Sequence, residues 1–289
     1  IGILEDFKQD FQEVASRVVG RREEIEKLVD LANNSTRPGV LWLEGKPGMG
    51  KSAIVSKLGV RLKSNIRDLV LLWRFQAGDP RCTRSHFLRY FINELAAKIH
   101  YPTKGLGEDP DILMAELVKI LRDNDDIRVI GIVDGLDELE KVDAKFIDFP
   151  FTINNSQTLW ICAGRPTSKL SCIYSKNRCV HVFSDDGLSP LGKKDISEWL
   201  IKCIPEGQRA DLIRGEEAWI DEVALKSEGL PQYIQLLLAD IESGQIPVGS
   251  ILPKGLEQYW NRLLSGIGID DASTILPKLI MAIALLVEA

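Results

Sequence analysis

Gly45-Lys46-Pro47-Gly48-Met49-Gly50-Lys51-Ser52 fits the spacing G-x-x-x-x-G-K-[ST], and its neighbours give that spacing a context. Before it runs Val40-Leu41-Trp42-Leu43-Glu44, an apolar stretch of strand length; after it Ala53, Ile54, Val55, Leu58 and Leu62 recur at helical spacing. Strand, glycine-rich loop and helix in that order make a phosphate-binding loop. The glycines let successive backbone N–H groups converge on anionic oxygens, and the following helix presents its positive end to the same place. Lys51 is then placed to reach β- and γ-phosphates, and the Ser52 hydroxyl to ligate Mg²⁺. Gly45 through Ser52, with Ala53, form the candidate nucleotide-binding set. Without the flanking strand and helix the same residues would be a Gly-rich turn with a solvated lysine.

Outward from the loop, Leu69 to Phe75, Val129 to Val133, Thr158 to Ala163 and a short run from Cys179 to Phe183 read as further strands. Between them Arg84 to Ile99 and Asp111 to Leu121 carry apolar residues at helical spacing. Strands that alternate with helices imply a parallel sheet with helices on both faces and ligands at the strand C-termini. The expected fold is thus α/β, five parallel strands with helices on both faces, which with the phosphate loop resembles the AAA+-like P-loop NTPases. Upstream, Glu5 to Ser16 reads as an amphipathic helix and a second opens near Arg22. From Leu188 onward strand signals stop: 195–203, 217–226, 231–241 and 256–264 read as helices of a small all-α lid domain. The division is 1–39 for the N-terminal helices, 40–187 for the nucleotide-binding domain, 188–268 for the helical domain and 269–289 for a further helical unit.

Asp134-Gly135-Leu136-Asp137-Glu138 follows the buried-type strand Val129 to Val133. A carboxylate at a strand tip beside the loop is where Mg²⁺ or its water needs one, which assigns Asp134, with Ser52, to the metal. Glu138, and after it Asp137, could orient or deprotonate the attacking water. Arg165 emerges just after the fourth strand, on the same edge, where its planar fork can meet a γ-phosphate; a plain surface arginine before Pro166 is the alternative. Val19, Gly20 and Arg21 could close over the base, or simply break two helices. In Gly229-Leu230-Pro231 the proline is a normal helix start, or packs on adenine from the lid.

The totals constrain the partners. The 289 residues carry 36 Lys and Arg against 42 Asp and Glu, a net charge of −6, which argues against a nucleic-acid surface spread over the whole molecule. No run reaches the ~18 apolar residues of a membrane span, so a soluble chain is expected. Five scattered cysteines without a leader suggest a reducing, cytoplasmic setting. Cys172, Cys179 and His181 lack the paired C-x-x-C spacing of a zinc site. No N-K-x-D string follows the sheet, which favours adenine over guanine. The first residue is Ile1 and the last apolar pattern is cut short, so the chain reads as an excised piece with effector and sensor parts elsewhere.

Val19-Gly20-Arg21-Arg22-Glu23-Glu24, the phosphate loop, Asp134-Gly135-Leu136-Asp137-Glu138, Arg165-Pro166, Leu188-Ser189-Pro190-Leu191 and Gly229-Leu230-Pro231, in that order, resemble the STAND class of P-loop NTPases. Within it the D-G-L-D-E string is closer to the NACHT type than to plant-type NB-ARC. The resemblance implies an ATP/ADP-switched, slowly hydrolysing regulator with Mg²⁺ as cofactor. It implies a state closed with ADP and self-association through the nucleotide-binding domain with ATP, in immune, antiviral or cell-death signalling. It also implies a winged-helix domain next, of which 272–289 would be the first helix and which would hold the family's β-phosphate-reading histidine. Gly164 stands where that family often has Ser or Thr. A nucleotide-binding scaffold without turnover and an initiator-like, DNA-associated AAA+ ATPase are the other functions the sequence admits.

Overall fold

The computed structural model describes residues 10–16, 18–34, 39–63, 68–103, 105–183, 187–204, 216–244 and 251–266. The chain divides into two compact units, 1–191 and 192–289.

The first unit is organised by five strands: β1 (Gly39–Glu44), β2 (Leu69–Arg74), β3 (Val129–Asp134), β4 (Thr158–Gly164) and β5 (Cys179–His181). They lie in the order β2-β3-β4-β1-β5, and every pairing is parallel. β3 and β4 are buried at every position, as uninterrupted apolar strands covered on both faces should be. On one face Trp73 and Trp160 meet α4 (Arg84–Ile99), against which α5 (Pro110–Asp123) packs, and the Trp42 ring lies 4.4 Å from that of Tyr174. Rings do much of the filling there: Phe91 lies 5.3 Å and Phe149 5.0 Å from Trp160, centre to centre. On the other face α3 (Lys51–Leu62) lies close, with Gly59 against the Leu72 side chain. α2 (Arg22–Asn34) packs on α3 in turn. Helix starts follow capping chemistry, since Thr83 accepts from the His86 amide and Asp109 precedes Pro110 at the head of α5.

The expected strands and long helices are present, with ends moved by one or two residues. β5 pairs only over Cys179–His181, short of Phe183. Three short helices were not anticipated: α6 (Leu136–Val142), α7 (Phe149–Thr152) and α8 (Ser168–Lys176). The acidic string after β3 therefore opens a helix, because Gly135 at φ 80° ends the strand and stands at the helix cap. Of the expected helix Glu5 to Ser16, residues 10–16 are helical and form α1; the remainder lies outside the described residues, as does the expected helix 272–289.

The second unit contains α9 (Lys193–Cys203), α10 (Glu216–Ser227), α11 (Pro231–Glu242) and α12 (Gly255–Gly266), and no strand among its described residues. Its core joins Ile196, Leu200, Val223, Ile234 and Leu237. Two buried tyrosines close it: the rings of Tyr233 and Tyr259 meet edge-on at 5.0 Å, while their hydroxyls donate to the Pro253 carbonyl and the Asp240 carboxylate. Among the described residues no helix is long and apolar enough to cross a membrane.

Candidate functional site

The loop between β1 and α3 is shaped by two left-handed residues, Gly48 at φ 73° and Gly50 at φ 85°. Gly50 caps α3 without any side-chain contribution, and the first turn of the helix contains no acidic residue. The positive end of α3 therefore meets the loop unopposed. Lys51 is buried, and its Nζ donates to the Gly45 and Lys46 carbonyls at 2.6 and 3.0 Å, so the ammonium is folded over the loop backbone. Ser52, next to it, is exposed. The chain after β5 returns to this place: Leu188 N–H donates to the Glu44 carbonyl at 2.8 Å, and the Leu188 side chain lies close to Gly45.

Arg21, the residue before α2, braces the loop. Gly20 and Arg21 are both left-handed, at φ 74° and 59°, which turns the chain so that the guanidinium points inward. Its Nη1 donates to Glu24 at 2.6 Å and its Nη2 to the Met49 carbonyl at 3.2 Å, with Nε buried and without an acceptor among the described residues. Val19 and Gly20 are half-buried beside it.

Because all strands are parallel, the tips of β2, β3 and β4 share the edge on which the loop lies. β4 is inserted between β1 and β3, so Arg165 leaves the sheet between the phosphate loop and Asp134. Asp134 is buried, and its Oδ2 accepts from Arg74 Nε at 3.1 Å. Asp137, in the first turn of α6, accepts the Arg165 backbone N–H on Oδ1 at 3.0 Å and has Oδ2 3.4 Å from Arg165 Nε. Glu138 points elsewhere and meets Lys141 at 2.9 Å on the same helix. Two adjacent acids thus separate by about the 100° that one helical residue turns, one toward Arg165 and the other toward Lys141. Gly164 is explained by crowding: a Cβ there would lie 2.9 Å from the Trp42 ring and 3.4 Å from the Asp137 amide and carboxylate.

These residues suit a magnesium-bound polyphosphate. A loop with two left-handed glycines, an unopposed helix start and a lysine at its centre offers amides and one fixed cation to phosphate oxygens. The Ser52 hydroxyl and the Asp134 carboxylate are the hard oxygen donors that Mg²⁺ prefers. Pro231, the remaining candidate, is the buried first residue of α11 in the second unit. Two features escaped the sequence: Arg74 as the partner of Asp134, and Met49 as the acceptor for Arg21. A signal for the first was present, since an apolar strand closing on a charge places it level with the last residue of its neighbour. Cys179 turns its thiol onto the Tyr174 carbonyl, and among the described residues no group of three or more His, Cys, Asp and Glu gathers as a metal site. A separate groove along α2 and β5, lined by Lys27, Leu41 and Val180, includes none of the loop residues.

Comparison with known proteins gives three results. A family model described as Nephrocystin 3, N-terminal, matches residues 23–162, and no curated protein matches the chain. Among solved structures, the chain is similar to Drosophila ORC bound to DNA, at 15% identity and a TM-score of 0.51, covering 92% of this chain and 69% of that one. It is also similar to the ORC1 protein of Aeropyrum pernix in complex with DNA, at 16% identity and a TM-score of 0.49, covering 85% of this chain and 65% of that one. The parallel five-stranded sheet with its helices is a fold that the chain shares with the Drosophila ORC structure.

Proposed function

We propose that the chain is an ATP-binding and slowly hydrolysing switch of NACHT type, in which nucleotide state governs self-association for signalling. The observation that carries this reading is the strand–loop–helix of Gly45 to Ser52. Lys51 is folded over it, on the sheet edge that also bears Asp134 and Arg165. Backbone amides and Lys51 would hold the phosphates, and Ser52 and Asp134 would hold Mg²⁺. When bound, the metal supplies charge neutralisation at the transferring phosphoryl group. Glu138, the first choice of the two acids for taking a proton from water, would do so by leaving Lys141, which holds both its oxygens at 2.9 Å, while Asp137 is held by the Arg165 amide and guanidinium. Arg165, steadied at both its amide and its Nε, is placed to respond to the terminal phosphate. The signalling role and the effector and sensor partners rest on the ordered motifs alone. Slow turnover suits such a role, because the signalling state has to persist.

The test begins with ADP and ATP binding. Lys51→Ala is expected to weaken affinity roughly a hundredfold, and unchanged affinity would end the nucleotide reading. Glu138→Gln is expected to abolish Mg²⁺-dependent phosphate release while binding persists. If the wild-type chain releases no phosphate yet changes size between ADP and a nonhydrolysable ATP analogue, it is a scaffold without turnover. The likeness to Drosophila ORC favours a second reading, an initiator-like ATPase on DNA. Salt-sensitive duplex binding would support it, and the net charge of −6 weighs against it.

A further inference from the structure

β2 and β3 end level with each other, Arg74 beside Asp134 in register. The last side chain of one strand is therefore set against the last of the next. Both are largely out of water, with 15% of the Arg74 side chain and 5% of the Asp134 side chain exposed. A guanidinium cannot shed its proton in a protein, so a permanent cation sits on the carboxylate that the nucleotide reading assigns to Mg²⁺. Its satisfaction is incomplete. Nε donates to Asp134, but Nη2 is buried and finds no acceptor among the described residues. What holds the outer side of the group is a ring: the guanidinium carbon lies 5.1 Å from the centre of Phe11, a buried residue of α1.

α1 makes further contacts on either side of Phe11. Lys57 of α3 donates to the Ala15 carbonyl at 3.3 Å, and Asp10 stands 4.0 Å from Arg81, whose closer partner is Asp79 at 2.6 Å. The phenyl ring over Arg74 is thus the contact that joins α1 directly to the tip of β2. Two cations converging on one nearly dry carboxylate repel strongly, because little water remains to screen them.

We propose that Arg74 is a built-in competitor for the Asp134 carboxylate: a divalent cation engages Asp134 only as the guanidinium turns away, and that turn loosens α1 from the sheet edge through Phe11. The inference rests on the nucleotide reading and adds to it a route from the metal site to the N-terminal helix. Arg74 is a positioning residue in this scheme, acting through Asp134. Because one of its buried donors is already orphaned, the guanidinium gives up little when it leaves for water or a phosphate oxygen.

The experiment uses the whole chain, a fluorescent ADP analogue and a Mg²⁺ series starting from EDTA, reading the Mg²⁺ concentration that gives half the change in nucleotide affinity. Arg74→Met, which keeps bulk and removes charge, is expected to lower that midpoint about tenfold. Phe11→Ala, which leaves the guanidinium but frees it, is expected to lower it about threefold. Hydrogen exchange supplies the second readout. In the wild type, Mg²⁺ with ADP should speed exchange at residues 10–16 relative to ADP in EDTA, and in Arg74→Met exchange there should be fast in both. Midpoints at or above the wild-type value in both variants, or exchange at residues 10–16 indifferent to Mg²⁺ in the wild type, overturn the proposal. If Arg74→Met does not fold, Phe11→Ala and the wild-type exchange decide. Loss of the nucleotide reading looks different: the wild-type chain then binds no ADP at any Mg²⁺ concentration, and this proposal falls with it.

Discussion

At the end of β1 the chain makes its candidate anion site from backbone, whereas at the ends of β2, β3 and β4 it sets side chains against one another. The loop needs glycines, an uncapped helix start and one lysine, and every one of these lies within eight consecutive residues. The strand tips need Arg74, Asp134, Asp137 and Arg165, which come from four separate elements and meet only through the sheet order. A backbone site tolerates change in the side chains around it and fails when its φ angles are denied. A side-chain network behaves the other way, each substitution leaving a partner unmatched.

The largest effect should come where the two styles join. Gly135 ends β3 at φ 80°, and a Cβ there would stand 2.1 Å from the Phe75 carbonyl oxygen. That oxygen is backbone and cannot swing aside, so Gly135→Ala combines left-handed strain with a hard overlap. A loss of about 3 kcal/mol or more in chemical denaturation is expected. A loss below about 1 kcal/mol would mean that the strand end can shift, and that the tips are looser than the contrast requires.

Asp137→Ala comes next. It leaves the Arg165 amide without its acceptor and takes the Asp137 charge away from the guanidinium, and should lower stability by about 1–2 kcal/mol. Asp137→Asn keeps an oxygen for the amide and loses only the charge, so its cost should be smaller. If the two variants cost the same, the bond to the Arg165 amide contributes nothing, and Asp137 acts on Arg165 through its charge.

How far the sequence disclosed these two regions follows from how each is built. The loop was legible because glycine spacing is local and its flanks show periods of two kinds, strand then helix. The sheet was legible because its strands are short apolar runs bounded by charge or glycine. α6, α7 and α8 were not, since 7, 4 and 9 residues are too few to establish a helical period. The sequence ranked Glu138 ahead of Asp137 without being able to say how neighbours in a string would diverge, and only the helix beginning at Leu136 sends them to different partners. Arg74 escaped for the reason that distinguishes the tips: its meaning depends on which strand lies alongside. Arg21 was suspected for its place before the loop, but its grip on the Met49 carbonyl needs two left-handed residues in succession, one of them not glycine.

A smaller effect sharpens the contrast from the loop side. Lys46 is exposed and contributes its carbonyl, not its side chain, to the Lys51 ammonium at 3.0 Å. Lys46→Ala should therefore change ADP affinity by less than about threefold, as expected for an exposed charge. A tenfold loss would show that the side chain itself grips the nucleotide, and that the loop is less purely a backbone device.

The smallest effect concerns the turn that follows β2, where Cys82 joins the tips to the interior. Its thiol donates to the Arg74 carbonyl and accepts from the Gln76 amide, both at 3.2 Å. Burial pushes its pKa from 9.0 up to about 11. The folded chain then holds this proton more tightly than the unfolded chain does, so the thiol's contribution is fully present below pH 9 and is lost as pH rises through about 11. Urea midpoints should fall over that window, and Cys82→Ser, which removes the thiol titration while leaving a hydroxyl for the same partners, should flatten the part of the fall that is due to this group. Alkylation gives an independent reading at pH 8, where the exposed Cys172 and Cys203 should react well before Cys82. Early labelling of Cys82 would mean that the turn after Arg74 opens readily, and then the strand tips could not be the fixed network that sets them apart from the loop.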